Sequence, residues 1–221
     1  MTPVINLRVH SAYSLLEGAL QIKDIIARTV GDGAPAVGIA DTNNLFGALQ
    51  FADAAKGAGV QPLIGCDLEL AFPPELALPD DGDLRRRHRA SMVMIAANAE
   101  GYANLTALAS ALYLDGEAGQ ALKLPFDTLK ARAAGVILLT GGPRGPIAHA
   151  LETGHAAAAE ARLRALHAAF GDRLYVELQR PQGYSRSVER ALVGLAHALH
   201  LPLVATNEAY FGTRNDYEAH D

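Results

Sequence analysis

Along this 221-residue chain, charged and polar side chains gather directly after short apolar runs. Arg8, His10 and Glu17 follow the first run, in LRVHSAYSLLEG, and Asp41 follows the second, in GIADTNN. Cys66 and Asp67 sit in LIGCDLEL, and Asn207, Glu208 and Tyr210 in LVATNEAYF. One imidazole with several carboxylates suits a divalent cation or general acid and base work. The same pattern also arises where chains simply turn at strand ends, and Asp41 followed by Asn43 and Asn44 reads equally well as turn and cap chemistry. On the residues alone, both readings stay open.

Other side chains carry weaker signals. His88, His149, His155, His167, His197 and His200 fall in helix or loop contexts without zinc-type pairing, and only His197 and His200 have a spacing that could chelate. TGGPRGP lacks the Lys-Ser/Thr ending of a phosphate-binding loop and reads as a turn before a helix, with Pro146 at its first position. Arg85, Arg86, Arg87 and Arg89 surround His88 after an acidic, Pro-containing stretch, which makes a solvated loop or a phosphate or partner contact. The net charge of −5 argues against a surface that grips nucleic acid throughout. Cys66 is the single cysteine, so neither an internal disulfide nor a cysteine-rich zinc site can form. The sequence shows no long apolar span and no cleavable leader, so a cytoplasmic protein without membrane contact is expected.

The elements that must position these residues alternate. Strands are expected at Val4–Val9, Ala36–Ala40, Leu63–Leu70, Ser91–Ala96, Gly135–Leu139, Leu174–Leu178 and Leu201–Ala205. Helices are expected at Ile22–Val30, Leu45–Lys56, Tyr102–Tyr113, Ile147–Glu152, His155–Phe170 and Ser185–His200. Such βα repetition gives an α/β fold with a mostly parallel sheet, either closing into a barrel or remaining open and doubly wound. In a barrel, the polar residues above lie at the C-terminal ends of strands, where barrel enzymes place their sites. Residues 1–221 read as a single domain, and the ending RNDYEAHD reads as the start of a helix, as expected of a fragment of a longer chain.

LRVHSAYSLLEGAL, GIADTNNLFGALQFADAAKGAGVQPLIGCDLEL, ANAEGYANL and LPLVATNEAYFGTRNDYEAHD together resemble, in order and spacing, the N-terminal polymerase-and-histidinol-phosphatase (PHP) domain of bacterial replicative DNA polymerase III alpha subunits. The resemblance implies a distorted seven-stranded (β/α) TIM-like barrel. In relatives with an intact site it also implies a metal cluster held mainly by histidines and acids. Carried onto this chain, the ligand positions are Arg8, His10, Glu17, Thr42 after Asp41, Asp67, Ser91, Gly142, Glu208 and Tyr210. Arginine, threonine, serine and tyrosine thus replace four imidazoles, glycine replaces a thiol, and the acids persist.

Acids crowded without a metal repel unless a cation joins them. Arg8 can be that cation, because a guanidinium stays charged and offers forked donors to carboxylates. The resemblance therefore implies a domain without catalytic residues or a cofactor of its own. Should any metal bind, its ligands would be His10, Glu17, Asp67 and Glu208. It further implies a structural module that packs on the rest of the alpha chain and docks the proofreading exonuclease (epsilon) subunit. The parent would be a DNA-directed DNA polymerase using Mg²⁺ in its palm domain and meeting DNA there. The alternative is a working metal-dependent phosphoesterase or 3′-to-5′ exonuclease.

Overall fold

Seven consecutive residues of a computed structural model, Ala36–Thr42, form strand β2, and six of them are buried. The run AVGIADT does not alternate apolar and polar because β2 is flanked by a parallel strand on each side. Residues 3–79, 90–114, 122–213 and 216 are described. They divide into two compact units, Met1–Asp67 with Thr206–Asp221, and Leu68–Ala205.

In the first unit, β1 (Arg8–Val9) lies parallel to β2, with Val9 opposite Ile39. The N-terminal part of β3 (Gln61–Ala71) runs parallel to β2 over seven residue pairs, from Ala36 opposite Gln61 to Thr42 opposite Asp67. β9 (Glu208–Ala209) covers the other edge of β1, with Arg8 opposite Glu208. Gly38 allows a close approach of the chain preceding β1. Its N–H donates to Asn6 O at 2.7 Å, and a Cβ there would meet Leu7 O at 2.5 Å. Helix α1 (Ile22–Gly31) buries Ile22, Ile25, Ile26 and Thr29, the stripe expected of a helix lying on a sheet. With Phe51 and Ala55 of α2 (Ala48–Gly57), the isoleucines close a core over Val9, Val37 and Ile39.

In the second unit, β6 (Val136–Leu139) runs antiparallel to β4 (Ser91–Ala96) and parallel to β7 (Leu174–Leu178). β8 (Leu203–Ala205) continues parallel to β7, and β5 (Leu124–Pro125) pairs with the end of β3. Helices α3 (Ala99–Leu114), α4 (Phe126–Ala131), α5 (Pro146–Glu152), α6 (Ala156–Phe170) and α7 (Arg186–Ala198) complete it. On α6, Leu163, Leu166 and Phe170 are buried and Glu160 pairs with Arg164 at 2.7 Å, both as the spacing predicts.

The α/β class and six expected helices are observed, with several corrections. β1 is two residues long, because Val4 and Ile5 are exposed and its parallel partners begin only at Arg8. β5, β9 and α4 were not expected, being too short to show a period. α2 begins at Ala48 because Asn44 Oδ1 accepts from Phe46 N and holds the preceding residues in a turn. α7 ends at Ala198 and His200 takes a positive φ of 54°, so His197 and His200 do not share a helical face for chelation. Among the described residues, no helix is long and apolar enough to cross a membrane.

Candidate metal-site remnant

Four strand ends of the first unit converge on a set of buried and half-buried polar side chains. Parallel pairing of β1 with β9 sets Arg8 beside Glu208, and the chain leaving these strands carries His10 and Tyr210. Parallel pairing of β2 with β3 sets Thr42 beside Asp67. Arg8 and His10 are wholly buried.

Arg8 joins the two carboxylates. Its Nη2 donates to Asp67 Oδ2 at 2.6 Å and lies 2.9 Å from Glu208 Oε1. Short contacts of this kind are charge-assisted and roughly twice as strong as neutral hydrogen bonds. Tyr210 stacks on the His10 ring with centroids 4.3 Å apart and planes 13° from parallel, and its hydroxyl donates to Glu208 Oε1 at 2.6 Å.

Ser14 Oγ and Thr42 Oγ1 each lie 3.4 Å from His10 Nδ1. His10 Nε2 has no hydrogen-bond partner among the described residues, although Glu208 Oε1 is 3.5 Å away and Asp67 Oδ2 4.0 Å away. Donor atoms of His10, Asp67 and Glu208 all lie within 4.8 Å of one another, so three potential metal ligands are grouped here. The guanidinium of Arg8 shares oxygens of the same two carboxylates.

Glu17 and Asp41 occupy a second layer. Thr42 Oγ1 donates to Glu17 Oε2 at 2.6 Å, which ties the loop after β1 to the end of β2. Asp41 Oδ1 accepts from Ser11 N at 2.6 Å and from Ser14 Oγ at 2.7 Å, while Oδ2 accepts from Ser11 Oγ at 2.8 Å. Asp41 therefore fixes the loop that carries Glu17. Gly18 lets that loop fold back, since a Cβ there would fall 1.9 Å from Ser11 O. Beneath it, Cys66 Sγ lies 3.3 Å from the carbonyl oxygens of both Asp41 and Asn44. Burial, and then the nearby charges of Asp67 and Asp41, push its thiol well above the ordinary pKa.

Arg8, His10, Glu17, Thr42, Asp67, Glu208 and Tyr210 are thus brought together, with Asp41 behind them. Ser91 and Gly142 belong to the second unit, at the start of β4 and in a single 3₁₀ turn. Gly142 has a φ of +54°, and a Cβ there would lie 3.0 Å from Gln179 Cδ. Arg85, Arg86, Arg87 and Arg89 lie outside the described residues. Sequence reasoning missed Ser11 and Ser14. Their signal was two hydroxyls three residues apart immediately after His10, a pattern suited to clasping one carboxylate.

Known proteins resemble this chain in sequence and in fold. The family model of the PHP domain matches residues 6–181. The alpha subunit of DNA polymerase III from Caulobacter vibrioides is 41% identical over 219 residues, spanning 98% of this chain and 19% of that protein. The Pseudomonas aeruginosa alpha subunit is 37% identical over 218 residues, 98% of this chain and 18% of its own length. The chain therefore spans about a fifth of the length of these relatives. In fold, it is similar to the solved structure of a two-domain protein with a PHP-like metal-dependent phosphoesterase part from Bacteroides vulgatus. The TM-score is 0.55 and the identity 10%, over 95% of this chain and 52% of that one. With a family match across most of its length, this chain belongs to the PHP domain family and is homologous to DNA polymerase III alpha subunits.

Proposed function

We propose that this chain is a metal-free PHP domain with a structural role in a bacterial DNA polymerase III alpha polypeptide, and that it docks the proofreading exonuclease (epsilon) subunit. One observation carries the reading. The Arg8 guanidinium stands 2.6 Å from Asp67 Oδ2 and 2.9 Å from Glu208 Oε1, where it supplies the positive charge that a cation would otherwise bring. The side chains present do not fit a resident metal cluster. Thr42 and Tyr210 spend their hydroxyls on Glu17 and Glu208, and only one imidazole is present among the ligand positions.

In this reading no catalytic residue lies within the 221 residues. Nucleotide addition, Mg²⁺ and DNA contact belong to the palm domain of the parent polymerase, which works in the cytoplasm without membrane contact. The domain contributes its fold and its surface. The test is metal analysis of the purified chain after dialysis against Mn²⁺ and Zn²⁺, together with capture of the exonuclease subunit. Substoichiometric metal with retained exonuclease is the expected result, and one bound ion per chain overturns the metal-free reading.

A second reading, a metal-dependent phosphoesterase or 3′-to-5′ exonuclease, draws on the grouping of His10, Asp67 and Glu208 and on the buried His10 Nε2, which has no hydrogen-bond partner among the described residues. Hydrolysis of a chromogenic phosphate ester or single-stranded DNA with Mn²⁺, lost in His10→Ala, would establish it.

A further inference from the structure

The chain returns to the first unit at Thr206, after the whole of the second unit has intervened in sequence. Segment 206–212 then crosses the site as a strap, and each of its residues is half-buried or exposed. Its own strand, β9, is two residues long. Beneath it, a cleft of about 500 Å³ opens between Val9, Ile25, Val37, Ala209, Phe211 and Gly212. Close apolar packing is what ordinarily seats such a segment, and over a cleft those contacts are forfeited.

Polar contacts take their place. Glu208 Oε1 lies 2.9 Å from Arg8 Nη2 and accepts from the Tyr210 hydroxyl at 2.6 Å. Arg8 is anchored on its other side by Asp67 of β3 at 2.6 Å. Main-chain bonds reach out from the body of the unit, where His10 N donates to Ala209 O and Ala19 N to Tyr210 O, both at 2.8 Å. At the far end Gly212 seats the Arg28 side chain of α1, since a Cβ there would lie 2.6 Å from Nη2. The Arg8 guanidinium is thus a charge-assisted joint between strap and sheet. The Tyr210 ring, 4.3 Å from that of His10, rides on the strap as a cover over the imidazole.

We propose that the Arg8 cluster is a clasp and segment 206–212 a movable cover. The strap lifts as a unit, ahead of the rest of the first unit, and uncovers His10 and Asp67 when it does. The inference rests on the metal-free structural reading and deepens it by giving the remaining charges a task, which is to set how often the cover opens. Segments with few buried apolar contacts open locally while the core stays folded, and here the polar joint is the main restraint on that opening.

The test is native-state hydrogen exchange by NMR, with EDTA present so that no divalent ion contributes. The amides of His10 and Ala19, whose acceptors lie on the strap, are compared with those of Phe51 and Val60, which donate to Gly47 O and Ala55 O. Corrected for intrinsic rates, His10 and Ala19 should exchange at least about tenfold faster in the unsubstituted chain and respond less to urea, because a local opening exposes little surface. Tyr210→Phe keeps the ring and removes the bond to Glu208, and should speed exchange at His10 and Ala19 by about fivefold or more. Arg8→Met, where it folds, should do so more strongly. Equal protection of the two pairs of amides overturns the proposal, since the strap then opens only with the whole unit. So does a change below about twofold at His10 and Ala19 in Tyr210→Phe, since the cluster then stays formed when the strap lifts. Either failure leaves the metal-free reading standing, because that reading falls to a bound ion, which EDTA keeps out of these rates.

Discussion

Removing the cation from the site should cost most of what the fold can spare. In Arg8→Met a chain of similar length fills the space, but Asp67 and Glu208, whose side chains are 4% and 12% exposed, face each other without a counter-charge. Their ligand oxygens lie no more than 4.8 Å apart. At that separation, with an effective dielectric constant of about 20, the repulsion is about 3.5 kcal/mol. This agrees with the roughly 3–5 kcal/mol lost when one partner of a buried ion pair is deleted. For a chain of this size the loss lowers the melting temperature by about 6–20 °C. Neutralising one acid in the same background, as Arg8→Met with Glu208→Gln, should recover about 2 kcal/mol or more, because the surviving carboxylate no longer meets a like charge. Urea unfolding of the four members of this double-mutant cycle measures both quantities. A loss below about 1 kcal/mol for Arg8→Met, or no recovery in the double variant, would refute a site organised around this guanidinium.

Three further outcomes follow from the same geometry. Arg8→His exchanges the bound cation for a second imidazole beside His10, Asp67 and Glu208, so millimolar Mn²⁺ or Zn²⁺ should raise the melting temperature of this variant by several degrees and leave the unsubstituted chain unchanged. Equal shifts in both would show that Arg8 does not exclude the metal. Asp41→Ala strips Ser11 N, Ser11 Oγ and Ser14 Oγ of their acceptor in a buried setting and should cost about 2–4 kcal/mol, with chymotryptic cleavage in the 13–16 loop rising in parallel. Burial and the charges of Asp67 and Asp41 raise the Cys66 thiol, so the folded chain keeps a proton that the unfolded chain releases above about pH 8.5. Stability should therefore be unaffected by this group below that pH and fall as pH rises beyond it. Cys66→Ala should flatten the decline in urea midpoint between pH 8 and 10, and an unchanged slope would remove the thiol from the account.

How much of this was legible in the sequence depended on the length of each signal. β4 and β7 were read to the residue, because runs of three or more consecutive apolar residues with clear boundaries leave little room for slippage. β9 was not, because two residues carry no period, and Glu208 and Ala209 become a strand only by pairing with Arg8 and Val9. The acids and Arg8 could be placed in the site by resemblance, and the charge argument for Arg8 needed nothing beyond residue types. What the chain could not disclose were second-layer roles that depend on which way a side chain turns. Asp41 looks like its acidic neighbours in sequence, yet it binds two serines and not Arg8. Nothing in the sequence singles out Arg162 on α6, yet it is wholly buried, donates to Leu76 O at 2.8 Å and lies 4.4 Å from the Phe72 ring.

What an exchange at the site can do follows from what strand pairing can and cannot alter. Register holds Arg8 beside Glu208 and Thr42 beside Asp67 whatever their side chains, so exchanges at these positions swap chemistry without moving the backbone. An imidazole at position 8 would hold a cation between the carboxylates, whereas an arginine is itself the cation and carries it on a longer arm to the same oxygens. His10 is held in place by different forces. Tyr210 stacks on its ring, and two hydroxyls approach Nδ1, so its burial is explained without a metal. Among the described residues, those contacts leave Nε2 without a hydrogen-bond partner, facing two carboxylates that already share Arg8. A buried polar atom in that position carries a desolvation cost of roughly 1–3 kcal/mol. Its orientation toward Asp67 and Glu208 is the part of the site that Arg8 has not replaced, which is why a single exchange at position 8 is the decisive variant for recovering metal affinity.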